Sequence, residues 1–393
     1  MASDVSSPGG FHVLLTGDQY QLPPVGGHST VTPLTHFKQS VHATTADMKR
    51  HFMDDLTHFF ELTENIRARE THGVLSPFAS ALSNLRIGQL NHNDHLLLNG
   101  RFCSPEFAMK HAHPKAIWIF ATNAECKKFN DMCTERLVDA GNFRIRILAQ
   151  HQDKREQKAT LAQNARMLNI PLKTKKMEDD IRVPFIDLAI GSRVKMLENL
   201  CVRAGIVNGA VGTVIGFRFV DDVPTTLKPS VSKFGKDASI PNREIHVVLV
   251  QFDYDEHSEQ DRARALANTC MHGIPNVFPI VALKSEVTLT VAGQPFFRWQ
   301  LPLALSHGRT CHSCQGLTAH NGAVVTVSSR FFNYAYVASS RAKDSKQLFL
   351  LPCTEGPNKG TMCFFEDLQH KLHPQRTFIE QFYSDLRQKF QPQ

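Results

Sequence analysis

Asp18 and Gln21 share the segment Gly17-Asp18-Gln19-Tyr20-Gln21-Leu22-Pro23-Pro24-Val25, which directly follows the apolar run Phe11-His12-Val13-Leu14-Leu15. Such a run fits a strand buried on both faces of a parallel sheet, with a buried helix segment as the alternative its pattern allows. Ligands of parallel sheets bind where the strands end. An acid and an amide at that edge can hold a metal-bound water or sense a nucleotide's terminal phosphate, with Pro23 and Pro24 stiffening the exit. The plainer reading is a tight turn in which both side chains satisfy backbone groups.

Cys311 and Cys314 are the other pair whose spacing invites chemistry. With His307 and His312 beside them they have zinc-ligand types. All four crowd into one short segment and no second Cys-x-x-Cys accompanies them, so a closed tetrahedral site is not expected and no metal is assigned. The nine cysteines are irregularly spaced and mostly set in apolar surroundings, as reduced thiols of an intracellular protein are.

The elements that must position these groups follow from periodicity. Leu75 to Arg86 carries Leu75, Phe78, Ala79, Leu82 and Leu85 at helical spacing. Ala116 to Phe120 reads as a buried strand running into a helix with Asn123 as N-cap, Cys126, Phe129, Cys133 and Leu137 as its apolar face, and Gly141 as its stop. Strand then helix is the βα unit of a parallel sheet. The character then turns antiparallel: Arg193 to Leu197 alternates, Asn208-Gly209 stands between apolar flanks as a hairpin signal, and Val247 to Phe252 supplies another strand. Parallel character returns with Gly322 to Val327, a helix from Tyr334 to Ala342, and the strand Gln347 to Leu351. A last helix, Phe378 to Phe390, is expected to dock on the outside.

The 393 residues have room for two or three domains. At 42% hydrophobic and 21% charged, the composition is that of a globular chain. No stretch approaches the ~20 apolar residues of a membrane span, no membrane partner is expected, and the first residues lack a secretory pattern. The expected location is intracellular, in the nucleus or mitochondrion of a eukaryote. The +7 charge permits a polyanionic partner without requiring one. Its densest basic stretch, Arg144 to Lys176, reads equally as a solvated face or as a strand-tracking patch.

Gly17 to Val25 resembles the third motif of superfamily-one DNA helicases of the petite-integration-frequency (PIF) and RecD-like type, including those of Helitron transposons. Further motifs follow in the family's order. Arg67, in Leu62-Thr63-Glu64-Asn65-Ile66-Arg67, is similar to the fourth-motif arginine, and Arg341, in Tyr336-Val337-Ala338-Ser339-Ser340-Arg341, to the sixth. The run Thr310-Cys311-His312-Ser313-Cys314-Gln315-Gly316-Leu317-Thr318 resembles the fifth. PIF-type proteins usually have lysine where Ser313 stands, and the run is also similar to the His-Ser-Ala-Lys-Gly form of UvrD-like helicases. Gly205 to Val214 resembles the family's turn into its inserted barrel, where the glycines serve as hairpin and bulge positions.

The resemblance implies an α/β fold: RecA-like parallel-sheet lobes, the first incomplete, with an inserted small antiparallel β-barrel. Residues 1–60 would be the C-terminal remnant of the first lobe, 61–190 and 299–355 the second lobe, 191–298 the barrel, and 356–393 a helical tail. It implies ATP-dependent 5′ to 3′ translocation on single-stranded DNA in repair, recombination or genome maintenance, with ATP and Mg²⁺ as cofactors of the complete parent. Gln21, Arg67 and Arg341 would be the catalytic set, with guanidinium groups stabilising charge on a transferring phosphoryl group. Asp18, Gln21 and Gly316 would meet the nucleotide, and His312, Ser313, Gln315 and Thr318 the strand.

Two parts of such an enzyme do not occur in these residues. A Gly-rich loop ending in Gly-Lys-Ser/Thr is absent: the only Gly-Lys, Gly235-Lys236, is followed by Asp237. The magnesium-binding acidic pair should precede Gly17, where Asp4 is the only acid, and Asp255-Glu256 lies too far downstream. The expectation is a helicase fragment that binds neither cofactor strongly by itself and is inactive alone. The alternatives are a non-catalytic nucleic-acid-binding or interaction protein, a transposon-derived remnant, or a zinc module built on Cys311 and Cys314.

Overall fold

Ile117-Trp118-Ile119-Phe120 is apolar throughout, and it forms a strand whose last three residues are buried. It lies inside a four-stranded sheet with the order Gly308–Thr310, Ile117–Phe120, Ala323–Thr326, Leu348–Leu351. Its pairing with Ala323–Thr326 is parallel, as is that of Ala323–Thr326 with Leu348–Leu351. Every residue of Ala323–Thr326 is buried, which is what a strand covered on both faces requires. The turn into this strand admits only glycine: Gly322 has φ +92°, and a Cβ there would stand 2.7 Å from Gln347 O.

This computed structural model describes residues 14, 16–22, 57–62, 76–170, 183–219, 237–241, 245–255, 258–268, 273–328, 333–352 and 379–390. The chain divides into two compact units, Met1–Asn123 with Arg309–Gln393, and Ala124–Gly308.

In the first unit the parallel sheet is covered by short helices with strong local signals. Pro77–Arg86 starts at Ser76, whose hydroxyl accepts from Ala79 N–H, and it buries Phe78, Ala79, Ala81, Leu82 and Leu85. Asn91 and Asp94 form a capping box at the start of His92–Asn99. Leu22, Phe78, Leu82, Leu98, Ile119, Val325, Tyr334 and Leu350 share one core with Cys311 and Cys314. The last helix spans 379–389. Among the described residues no helix is long and apolar enough to cross a membrane.

The helix after the first strand is Asn123–Asp139, so Asn123 is its first residue, one position inside the expected cap. It stops as expected. Gly141 takes φ +88° and donates to Val138 O, while Asn142 N–H donates to Leu137 O, a Schellman closure.

The second unit is built mainly from antiparallel pairs, with one parallel pairing between Arg144–Leu148 and Asp237–Pro241. One five-stranded sheet runs Leu303–Leu305, Arg193–Met196, Val211–Phe219, Ile245–Phe252, Val277–Ile280. Two three-stranded sheets accompany it, and no closed barrel forms among the described residues. The fold class is thus the expected mixed α/β one, with open sheets in the inserted part. Strands that precede residue 191 share the core of that part. Arg144–Leu148 pairs with Phe185–Ala189, and Ile145, Ile147, Ile186 and Leu188 enter the same core as Val194, Val214, Val250 and Leu303. Burial of those alternate residues against the five-stranded sheet places the segment in the second compact unit.

The Asn208-Gly209 signal also resolves differently. Both residues are the centre of a turn in which Ala210 N–H donates to Val207 O and Gly209 takes φ +89°, the geometry of a type II turn. The strands it serves are Arg193–Met196 and Val211–Phe219, because Met196 pairs with Ala210 and Gly209, so the connection spans the whole of 197–210.

A buried polar cluster marks this second unit. Arg298 is fully buried on the strand Gln294–Gln300. Its Nε donates to His151 Nε2 at 2.9 Å and its Nη2 to Met167 O at 2.6 Å. His151 Nδ1 donates in turn to Asn164 Oδ1 at 2.6 Å, which fixes the neutral tautomer. Burial, reinforced by the Arg298 charge and opposed by the Asn164 bond, depresses the His151 pKa to about 4. Burial likewise depresses that of Arg298 to about 10. These contacts give Arg298 a packing role inside the sheet.

Candidate functional site

The candidate site lies wholly in the first unit and starts with the turn at Asp18. Gln21 N–H donates to Asp18 O at 3.0 Å, and Tyr20 N–H donates to Asp18 Oδ1 at 3.0 Å, so the acid organises its own turn. Arg86, the last residue of the helix Pro77–Arg86, pairs with the same Oδ1 at 2.9 Å and lays its guanidinium 4.4 Å from the Tyr20 ring centre. Burial opposes the Arg86 charge, but the Asp18 bond and field outweigh it, and the pKa ends above the ordinary arginine value.

The far side of the turn is held from the C-terminal helix. The Tyr20 and Tyr383 rings stack at 5.7 Å with a 5° tilt, and Tyr383 Oη accepts from Gln19 N–H at 3.1 Å. Arg387, one turn further on, forms two hydrogen bonds to the Glu61 carboxylate, at 2.9 and 2.7 Å. Asn333 Nδ2 closes the remaining edge by donating to Tyr20 O at 2.6 Å. With Tyr20 and Leu22 anchored in the core, the Gln21 side chain is left at the partly exposed rim.

Gln21 then meets the second predicted segment. Gln315 Nε2 donates to Gln21 Oε1 at 2.9 Å, joining residues 294 positions apart. Gln315 belongs to a tight run of turns after the strand Gly308–Thr310. Cys311 N–H donates to Phe120 O at the C-terminal end of the neighbouring strand, and the one-turn 3₁₀ helix His312–Cys314 follows. Cys311 and Cys314 point into the core, while Ser313, Gln315 and Gly316 are exposed and His312 and Thr318 half-buried. Ser313 Oγ donates to Thr310 O at 2.8 Å. Gly316 takes φ +82° with open space where a Cβ would stand, so the backbone here can be approached closely. The arrangement presents hydroxyl, amide and main-chain groups beside Gln21, suited to hydrogen-bonding phosphate oxygens.

Arg341 occupies a different place from an outward-reaching arginine. It is buried, with Nε donating to Val337 O at 2.8 Å, Nη2 to Ser340 Oγ at 2.9 Å, and Nη1 to Leu317 O at 3.2 Å and Cys314 O at 3.4 Å. In this conformation it ties the helix Tyr334–Ser339 to the 312–317 turns. Arg67 lies outside the described residues, as do Pro23 to Val25. Burial, with the neighbouring Cys314, raises the Cys311 thiol pKa far above the ordinary value and disfavours the thiolate. Among the described residues no three His, Cys, Asp or Glu side chains converge.

Sequence reasoning missed Arg86, Asn333, Tyr383 and Arg387. The first had a usable signal, a basic residue closing a helix. The other three act across hundreds of residues and carried none.

No protein-family model matches the chain. By sequence it is 24% identical over 400 residues to protein 030L of Invertebrate iridescent virus 6, covering 96% of this chain and 69% of that protein. It is 27% identical over 168 residues to the ATP-dependent DNA helicase PIF7 of Trypanosoma brucei brucei, covering 42% of this chain and 16% of that one. By structure it matches the Pif1 helicase of Candida albicans with a TM-score of 0.55 at 20% identity, over 94% of this chain and 67% of that one. The chain has the fold of the Pif1-like superfamily-one helicases. Bacteroides Pif1, crystallised bound to single-stranded DNA, aligns over 87% of this chain and 62% of its own, with a TM-score of 0.49.

In the basic stretch from Arg144, the first two arginines are paired. Arg144 meets Glu135, and Arg146 makes two bonds to Asp187. Lys154, Arg155 and Lys158 are exposed, and Lys173, Lys175 and Lys176 lie outside the described residues. Asp237, after the lone Gly-Lys, opens a strand, whereas a phosphate-cradling loop leads into a helix.

Proposed function

We propose that this chain is part of a PIF-type DNA helicase motor that works on single-stranded DNA in the 5′ to 3′ direction. The observation that carries the proposal is the Gln21–Gln315 hydrogen bond. It joins the segment resembling the family's third motif to the segment resembling its fifth, in a chain with the Pif1-like fold. In this reading Gln21, with Asp18 ordering its turn, senses the terminal phosphate of ATP·Mg²⁺. Gly316 lets that region's backbone approach the ligand. His312, Ser313, Gln315 and Thr318 contact the strand, and Gln315 passes the state of one segment to the other. Arg67 supplies positive charge to the phosphates, and Arg341 does so after exchanging its main-chain partners.

The 393 residues contain no Gly-Lys-Ser/Thr loop. We therefore expect the purified chain to hydrolyse ATP negligibly, since that loop and its lysine are the main phosphate ligands of such enzymes. An ATPase assay with and without single-stranded DNA tests this, and turnover abolished by Arg341→Ala would refute it. The buried, fully engaged Arg341 supports a second reading, a non-catalytic nucleic-acid-binding protein such as a transposon-derived remnant. Oligothymidylate binding that weakens with salt and ignores ATP, even when the missing phosphate-binding segment is supplied, would decide for it.

A further inference from the structure

The 311–318 turns adjoin one edge of the parallel sheet, and a cavity opens at the other. There the segment 100–103 runs alongside Leu348–Leu351: Leu350 N–H donates to Arg101 O and Cys103 N–H to Leu350 O, both at 2.9 Å. The cavity measures about 530 Å³, within the ~300–1,000 Å³ of small-molecule sites.

Its lining combines two cations with aromatic rings. Arg101 and Lys346 line it together with Phe102, Phe107 and Phe349, and no carboxylate does. Arg101 is under-used: its Nε is buried without a hydrogen-bond partner, and its Nη1 makes only a long contact of 3.4 Å to Ser345 O. Among the described residues the Lys346 ammonium has no ion-pair partner, and Phe107 is half exposed, tilted against His111 at 4.2 Å. An unsatisfied guanidinium beside a free ammonium attracts a multivalent oxyanion. The exposed Phe107 ring next to them offers a stacking face, and cations with aromatic platforms are the means by which proteins hold nucleotides without reading sequence.

From this lining we infer that the cavity is a nucleotide-binding subsite, with the phosphate against Arg101 and Lys346 and the base against Phe107. It is separate from the Gln21–Gln315 site and stands or falls independently of the helicase reading. The same chemistry is offered by a free mononucleotide and by one nucleotide of a single strand.

The test uses the full chain with two exposed-residue variants, Lys346→Gln and Phe107→Leu, each checked for an unchanged melting temperature. Thymidine monophosphate is titrated by calorimetry, and fluorescein-labelled oligothymidylate by anisotropy. Each variant should weaken binding about tenfold, the scale of one lost stacking or phosphate contact. A Ser313→Ala/Gln315→Ala chain, altered only in the other site, should keep its mononucleotide affinity. Weakening seen with both probes assigns the cavity to free nucleotides, and weakening with oligothymidylate alone assigns it to a strand. Photo-crosslinked 5-iododeoxyuridine monophosphate should map to residues 100–107 or 346–349. Unchanged binding of both probes in both variants overturns the proposal. So does displacement of neither nucleotide probe by the other while an Asp-Asp-Phe peptide binds the cavity, which would assign it to an acidic protein partner.

Discussion

The candidate site of the first unit and the Arg298 cluster of the second treat their polar side chains in opposite ways. In the parallel unit Gln21, Ser313, Gln315 and Gly316 stand at the surface on turns that end strands, held there by buried neighbours. In the antiparallel unit Arg298 and His151 are enclosed and hydrogen-bonded to each other, and Met167 O and Asn164 of the helix Leu161–Leu168 complete the cluster. The difference follows from sheet geometry. Parallel strands are covered on both faces, so polar groups can serve a ligand only where the strands stop. An antiparallel insertion can close over a charge if hydrogen bonds satisfy it. Display at strand ends suits ligand contact, whereas enclosure suits holding a sheet together.

Arg298→Ala should produce the largest effect, a loss of about 3–5 kcal/mol in urea unfolding, because it removes packing and orphans His151 and the Met167 carbonyl at once. A loss under about 1 kcal/mol would break the contrast between the units.

Acid should act on the same cluster. The folded-state pKa of His151 lies near 4, below its ordinary 6.5, so the unfolded chain binds the proton more readily. Stability from this group is complete above pH 6.5 and is lost as pH falls toward 4, by roughly 3 kcal/mol in all. His307, whose pKa burial and Arg193 also depress to about 4, acts in the same direction. Urea midpoints between pH 7 and 4 measure the sum, and an NMR titration of the His151 ring near 6.5 would contradict the enclosure.

Tyr383→Ala should cost less, about 1–2 kcal/mol, by removing one stacked ring and one hydrogen bond. Its signature is local: hydrogen exchange at Gln19 should accelerate while amides of Ile245–Phe252 keep their protection. The smallest effect on stability belongs to Gln315→Ala, within about 0.5 kcal/mol for an exposed side chain. If the site is functional, that variant should still weaken oligothymidylate binding about fivefold, the worth of one hydrogen bond.

The parallel unit was legible because its signals are local. The apolar run 116–120 and the spacing of Phe78, Leu82 and Leu85 each act within one element, and each element formed close to where it was expected. The insertion was harder to delimit. Alternation in Arg144–Leu148 is visible, but only pairing with Phe185–Ala189 and burial against a sheet formed some fifty residues later show which unit owns it.

For the candidate site, resemblance to the family's motifs singled out Asp18, Gln21 and the 312–318 run, whereas residue types alone left a turn that satisfies its own backbone as an equal reading. Their meeting was not legible, since a hydrogen bond between Gln21 and Gln315 depends on the parallel sheet bringing two turns to one rim. The same holds for Arg341, whose motif position suggests a group reaching for phosphate. Its surroundings bury it among the carbonyls of Val337, Leu317 and Cys314 and the Ser340 hydroxyl, to which it donates. Residue chemistry is written along the chain, whereas desolvation and long-range proximity exist only once the chain has packed.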